Sequence, residues 1–105
     1  MAKYATGLKG ADVPEDQPVR VDVGGASIII IKHGGKLYGL NSACTHAGGP
    51  LEEGTIEGED LVCPIHDGKY RIKTGEAEPE TNWVTDLQSY AVAEDMVTGE
   101  ITVEA

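Results

Sequence analysis

A chain of 105 residues, 40% of them hydrophobic, is long enough for one domain with a modest core, and residues 1–105 are expected to act as one unit. Eighteen acidic against eight basic residues leave a net charge of −10, which argues against nucleic acid or an anionic membrane surface as partner and points to a basic protein face. The longest apolar run, from Ala26 to Ile31, is broken by Ser27 and falls far short of the ~20 residues of a membrane helix, and Met1-Ala2-Lys3-Tyr4 begins no signal-peptide core, so a soluble cytoplasmic protein is expected.

In chain order, Ala2 to Thr6 is a short edge strand and Leu8 to Asp16 a loop with Gly10 and Pro14. Val19, Val21 and Val23 alternate with Arg20 and Asp22, the period of a half-buried strand, and Gly24-Gly25 supplies a two-residue hairpin turn. Four consecutive isoleucines, Ile28 to Ile31, are apolar on both faces, which places that strand centrally with cover on each side. Gly34-Gly35 makes the next hairpin, and Lys36 to Leu40 completes a three-stranded platform. His33, between Lys32 and the diglycine, has the setting of a solvated turn residue.

That platform leads into the most informative stretch. Cys44-Thr45-His46 is followed by sixteen residues and then by Cys63-Pro64-Ile65-His66, so both cysteines and two of the three histidines lie in two boxes. A thiolate and an imidazole so close in sequence converge on one metal only if the backbone turns sharply, which Gly48, Gly49 and Pro50, and Pro64 and Gly68, permit. A disulfide is the weaker use of these cysteines. Two inorganic centres suit the four ligands. A Cys2His2 zinc site takes them as a tetrahedron, although structural zinc usually draws its cysteines from one knuckle and its histidines from a helix. A [2Fe-2S] cluster takes both cysteines on one iron and both histidines on the other, and the alternation of ligand types with no helical pattern favours it.

The boxes Cys44 to Gly54 (C-T-H-A-G-G-P-L-E-E-G) and Cys63 to Tyr70 (C-P-I-H-D-G-K-Y), with Thr74-Gly75 after them, resemble those of the Rieske [2Fe-2S] proteins, and the flanking strands are compatible with the soluble Rieske-type ferredoxins over nearly the whole chain. The resemblance implies an all-β Rieske-type fold: small antiparallel sheets with a two-loop cluster-binding subdomain, the loops spanning about 41–54 and 63–75. It implies one cluster per chain, with Cys44 and Cys63 on the buried iron and His46 and His66 on the outer one. One-electron transfer from a flavin-containing ferredoxin reductase to a ring-hydroxylating terminal oxygenase follows as the expected function. A small subunit of a nitrite-reductase-type enzyme and a respiratory-type carrier remain alternatives. The chain is not expected to be an oxygenase itself, because a mononuclear iron held by two histidines and a carboxylate needs more than His33 can supply.

Departures from the family pattern bear on potential. High-potential members carry a disulfide at the positions of Gly49 and Ile65, and hydroxyl donors to sulfur at those of Gly68 and Tyr70. Here one donor is lost and Tyr70 retains the other, so a potential in the lower half of the Rieske range, roughly −150 to +300 mV, is expected. Asp67 replaces the usual glycine after the second histidine, and a carboxylate there would raise the pKa of His66. The acids Glu52, Glu53, Glu57, Glu59 and Asp60 between the boxes suggest a solvated loop that also shapes docking. After Lys73 no Lys or Arg occurs. Glu76 to Asp86 is a loop whose extra length, with Asp86 where relatives have proline, puts its role as a cover in question, and Trp83 fits a core plug better than a docking residue. Leu87 to Ala93 and Glu100 to Glu104 are expected to pair around Asp95 to Gly99.

Overall fold

Two diglycine turns set the frame. Gly24 and Gly25 (φ 57° and 78°) join β2 (Val19–Val23) to β3 (Ala26–His33), and Gly34 and Gly35 (φ 61° and 77°) join β3 to β4 (Lys36–Asn41). Positive φ at both central residues gives the turn twist that matches paired strands. The structure, a computed structural model, describes residues 2–45, 48–65 and 67–105. Among these no α-helix occurs, and the remaining strands are β1 (Lys3–Lys9), β5 (Thr55–Glu57), β6 (Asp60–Val62), β7 (Lys69–Arg71), β8 (Ser89–Tyr90), β9 (Val92–Glu94) and β10 (Glu100–Glu104).

Three antiparallel sheets result, ordered β1-β10-β9, β2-β3-β4-β8 and β5-β6-β7. The all-β architecture of small antiparallel sheets expected from sequence is therefore present. Ile28 to Ile31 are all fully buried, as their two-faced apolarity required. Ile28 and Ile30 pack with Val13, Val21, Ile101 and Val103, whereas Ile29 and Ile31 pack with Leu40, Leu51, Leu61, Tyr70, Ile72, Leu87 and both cysteines. Strand β3 is thus the shared wall of two cores, and truncating either face would cost roughly 2–5 kcal/mol per isoleucine.

Several elements depart from the sequence expectation. β1 does lie at an edge but runs on to Lys9, with a register shift between Ala5 and Lys9 around Gly7 (φ 78°). The acidic segment between the boxes contains a hairpin, β5 to β6, turning at Gly58 (φ 61°) with Glu57 opposite Asp60. The span 87–93 is divided instead of continuous. Tyr90 pairs with Gly39 of β4, but Val92 pairs with Val103 of β10, so the chain changes sheets at Ala91. Gly39 permits this, since a Cβ there would lie 2.8 Å from Val92 Cγ2.

Candidate metal centre

Each box forms a loop closed by its own cysteine. In the first, which follows β4, the Cys44 amide donates to the Gly49 carbonyl at 2.9 Å, and Gly48, at φ 66°, donates back to Cys44 O at 2.8 Å. In the second, between β6 and β7, the Cys63 amide donates to Gly68 O at 2.8 Å. The turns foreseen at Gly48 and Gly68 are thereby accounted for. Both cysteines are buried and are not disulfide-bonded. The Cys63 thiol is pushed up to about 11, first by burial and further by Cys44 and Asp67, against a hydrogen bond from the Ile65 amide. Two adjacent buried thiolates need positive charge between them, which ferric or zinc ions would supply.

The surroundings of the sulfurs fit an iron-sulfur group. Tyr70 Oη lies 3.2 Å from Cys44 Sγ, and the Ile65 amide donates to Cys63 Sγ. Donors aimed at thiolate sulfur stabilise added negative charge. Tyr70 is fully buried, and its hydroxyl is pushed up to about 12 by burial and by Cys44, so it stays protonated as a donor. His46 and His66 lie outside the described residues, as does the contact that the role suggested for Asp67 requires. Asp67 itself has φ 55°, in the left-handed region, which gives a backbone reason why glycine suits that position.

Gly49 and Ile65 are close neighbours: a Cβ on Gly49 would lie 3.1 Å from Ile65 Cδ1 and 3.2 Å from Cys63 Sγ. The isoleucine side chain therefore packs against Gly49, and the two positions that a disulfide would link are in contact without one. A Cβ on Gly68 would lie 2.8 Å from Val84 Cγ1, so Val84 fills the space that a serine side chain would need.

Residues 76–88 close over these loops, contrary to the doubt raised by their length. Thr81, Val84 and Leu87 are buried, Thr81 Oγ1 donates to Glu78 O at 2.9 Å, and Asp86 Oδ1 accepts from the Ala77 amide at 2.9 Å. A carboxylate bond thus replaces the rigidity of the absent proline. The first box is clasped directly: Thr45 Oγ1 donates to Thr85 O at 3.0 Å and accepts from Thr85 N at 2.9 Å. Trp83, expected as a plug, is instead 43% exposed, and Val84 is the plug. No sequence signal marks the contact between Thr45 and Thr85, which are forty residues apart.

His33 is not merely solvated either. Its Nδ1 lies 2.7 Å from Asp16 Oδ1 and its Nε2 3.2 Å from Glu59 Oε1, and these hydrogen bonds raise its pKa. It ties the 10–18 loop and the second hairpin to the β5–β6 turn. Glu15, Asp16 and His33 place ligand atoms within 4.8 Å of one another, but Glu15 already accepts the Gly34 and Gly35 amides.

The surface around the loops is acidic, and its cations are engaged. Arg20 faces Asp22 and Glu52 at 3.3 and 3.5 Å, Arg71 faces Glu78 at 3.1 Å, Lys69 faces Glu57 and Glu80 at 3.9 and 4.0 Å, and Lys73 faces Glu59 at 3.8 Å. Such exposed pairs add little stability, but they leave the excess carboxylates to set the field. No helix among the described residues is long and apolar enough to cross a membrane.

Known proteins share this arrangement. A ferredoxin component of naphthalene 1,2-dioxygenase/salicylate 5-hydroxylase systems from Ralstonia sp is 33% identical over 81 residues, 77% of each chain. The 3-phenylpropionate/cinnamic acid dioxygenase ferredoxin subunit of Escherichia coli (strain K12) is 37% identical over 68 residues, 64% of this chain and 63% of the relative. Among solved structures, a ferredoxin-oxygenase complex of carbazole 1,9a-dioxygenase contains a chain that superposes with a TM-score of 0.81 at 27% identity, covering 98% of this chain and all of the other. The sequence profile of the Rieske [2Fe-2S] domain matches residues 5–91, a span that takes in both cysteine loops and the strands that carry them, and the chain belongs to that family.

Proposed function

We propose that this chain carries single electrons on one Rieske [2Fe-2S] cluster, from a flavin-containing ferredoxin reductase to the terminal oxygenase of a ring-hydroxylating system, with residues 1–105 working as one unit. Cys44 and Cys63 would hold one iron and His46 and His66 the other. Once bound, such a cluster takes up and releases one electron at a time. The observation that carries the reading is the pair of buried cysteines whose sulfurs face hydrogen-bond donors, Tyr70 Oη and the Ile65 amide.

The chain's own residues do the rest. Burial under Val84, Leu51 and Leu87 keeps water from the sulfurs. Tyr70 favours the more negative state, whereas Gly68 offers no second hydroxyl, a combination that fits a potential in the lower half of the Rieske range. The acidic surface, with Lys69, Arg71 and Arg20 already engaged, would dock against basic faces on both partners.

Stopped-flow mixing of the reduced protein with a terminal oxygenase tests this. Second-order electron transfer should slow several-fold as ionic strength rises from about 0.01 M to 0.15 M, over which the screening length shrinks from ~30 to ~8 Å. A salt-independent rate would overturn the basic docking faces, and no transfer to any such oxygenase would overturn the assignment of the acceptor.

A further inference from the structure

Beside Cys44 there are more hydrogen-bond contacts than hydrogens to fill them. Tyr70 Oη lies 3.2 Å from Cys44 Sγ and 2.9 Å from Thr45 Oγ1, and it already accepts the Thr45 amide at 3.1 Å. Thr45 Oγ1 lies 3.0 Å from the Thr85 carbonyl and already accepts the Thr85 amide at 2.9 Å. Once Cys44 is a ligand thiolate, it and the Thr85 carbonyl can only accept. Three contacts, sulfur to phenol, phenol to threonine and threonine to carbonyl, therefore share the two hydroxyl hydrogens of Tyr70 and Thr45.

Two patterns avoid opposing lone pairs across the 2.9 Å oxygen–oxygen contact. In one, Tyr70 donates to Thr45 and Thr45 to the Thr85 carbonyl, so that the chain of donors runs away from the sulfur and latches residues 76–88. In the other, Thr45 donates to Tyr70 and Tyr70 to Cys44, so that the chain runs toward the sulfur and the Thr85 carbonyl is released. Thr85 is exposed, so water can take up the released carbonyl instead of leaving it orphaned. Donor chains polarise one another, so the second pattern strengthens as negative charge accumulates on the sulfur.

We propose that Thr45 is a positioning residue whose hydroxyl reverses its donation when the centre is reduced, coupling the redox state to the clasp between the first box and the loop that bears Trp83. The inference rests on the reading of Cys44 as a cluster ligand. Reduction adds one electron from the donor and breaks no covalent bond; only the two hydroxyl hydrogens reorient. In the oxidised protein Thr45 clasps Thr85 at both its amide and its carbonyl, and in the reduced protein at the amide alone, while the other contacts of loop 76–88 stay in place. Electron donor and acceptor thereby meet differently held surfaces around Trp83, which is 43% exposed.

Hydrogen–deuterium exchange of peptides covering 76–88, measured by mass spectrometry on anaerobic oxidised and dithionite-reduced protein, tests the relay. Exchange at these amides should be roughly two- to tenfold faster after reduction, the factor expected from losing one modest hydrogen bond. Thr45→Val should abolish the difference and Thr45→Ser should restore it. Tyr70→Phe, which keeps the ring and removes the other hydroxyl, should also abolish it, so the test survives a failure of Thr45→Val to assemble. Equal exchange in the two states, in a sample whose colour bleaches with dithionite, overturns the relay and leaves the cluster reading intact. A difference that persists in Thr45→Val overturns it too. A colourless sample unaffected by dithionite overturns the cluster reading and the relay with it.

Discussion

Replacing Tyr70 by phenylalanine removes one oxygen from a fully buried site and leaves the ring, so the core loses no packing volume. Three contacts go with that oxygen: the 3.2 Å contact to Cys44 Sγ, the 3.1 Å bond accepted from the Thr45 amide, and the 2.9 Å contact to Thr45 Oγ1, whose hydroxyl keeps the Thr85 carbonyl as its acceptor. The first concerns potential. A hydrogen bond to a charged group is worth ~1.5–3 kcal/mol, but only the part that grows as the sulfur gains negative charge affects the redox equilibrium. Taking that part as about 1 kcal/mol, and with a tenfold change equal to about 1.4 kcal/mol or 59 mV for one electron, the midpoint potential of Tyr70→Phe should fall by roughly 40 mV. The second contact concerns stability, because an orphaned Thr45 amide at a half-buried site costs ~1–3 kcal/mol. Protein-film voltammetry reads the first quantity and urea unfolding the second. A variant destabilised as expected but with an unchanged potential would refute the claim that Tyr70 donates to the sulfur.

Gly68→Ser should not simply restore a hydroxyl donor, since its Cβ would meet Val84 Cγ1 at 2.8 Å; a loss of ~1–3 kcal/mol in urea unfolding is expected, relieved by adding Val84→Ala. Asp67→Gly should stabilise the protein by up to about 1 kcal/mol by removing a side chain from φ 55°, and a loss of stability would show that the Asp67 carboxylate makes a contact worth more than the strain. For His33, whose folded pKa is raised by Asp16 and Glu59, stabilisation is complete below its ordinary value of 6.5 and is lost as pH rises through the folded value, so the urea midpoint should fall from pH 6 to 8.5 in the parent and less in His33→Gln. Parallel profiles would mean that the two carboxylates do not hold the protonated ring. Asp60, raised to about 6 by burial and by Glu78, also loses stabilisation as pH rises, but between its ordinary value of 3.8 and about 6, so Asp60→Asn should flatten the acid side of the same profile and leave the His33 region unchanged.

How much of this was legible in the sequence depends on whether a feature is local. Ile28 to Ile31 announced a strand covered on both faces, and the diglycines at 24–25 and 34–35 announced its hairpins, because each rests on a dihedral or burial demand confined to a few residues. The two cysteine boxes were equally local. Leu61 and Val62 mark β6, but β5 was hidden because Ile56 is its one apolar residue among Glu52, Glu53, Glu57, Glu59 and Asp60; Gly58 was the available signal for the hairpin. The change of sheet at Ala91 leaves the alternation of 87–93 intact, so only the pairing of Tyr90 with Gly39 and Val92 with Val103 reveals it. The clasp from Thr45 to Thr85, the plug at Val84 and the bridge from His33 to Glu59 join residues far apart in sequence, and pattern alone does not expose such contacts.

The midpoint potential of the purified protein as a function of pH tests the central claim most directly. A reversible one-electron wave in the lower half of the Rieske range, falling by about 59 mV per pH unit once the pH passes the pKa of the ligand histidines in the oxidised state, is the predicted result. A colourless protein with no wave, whose cysteines and histidines hold one equivalent of zinc, would contradict it.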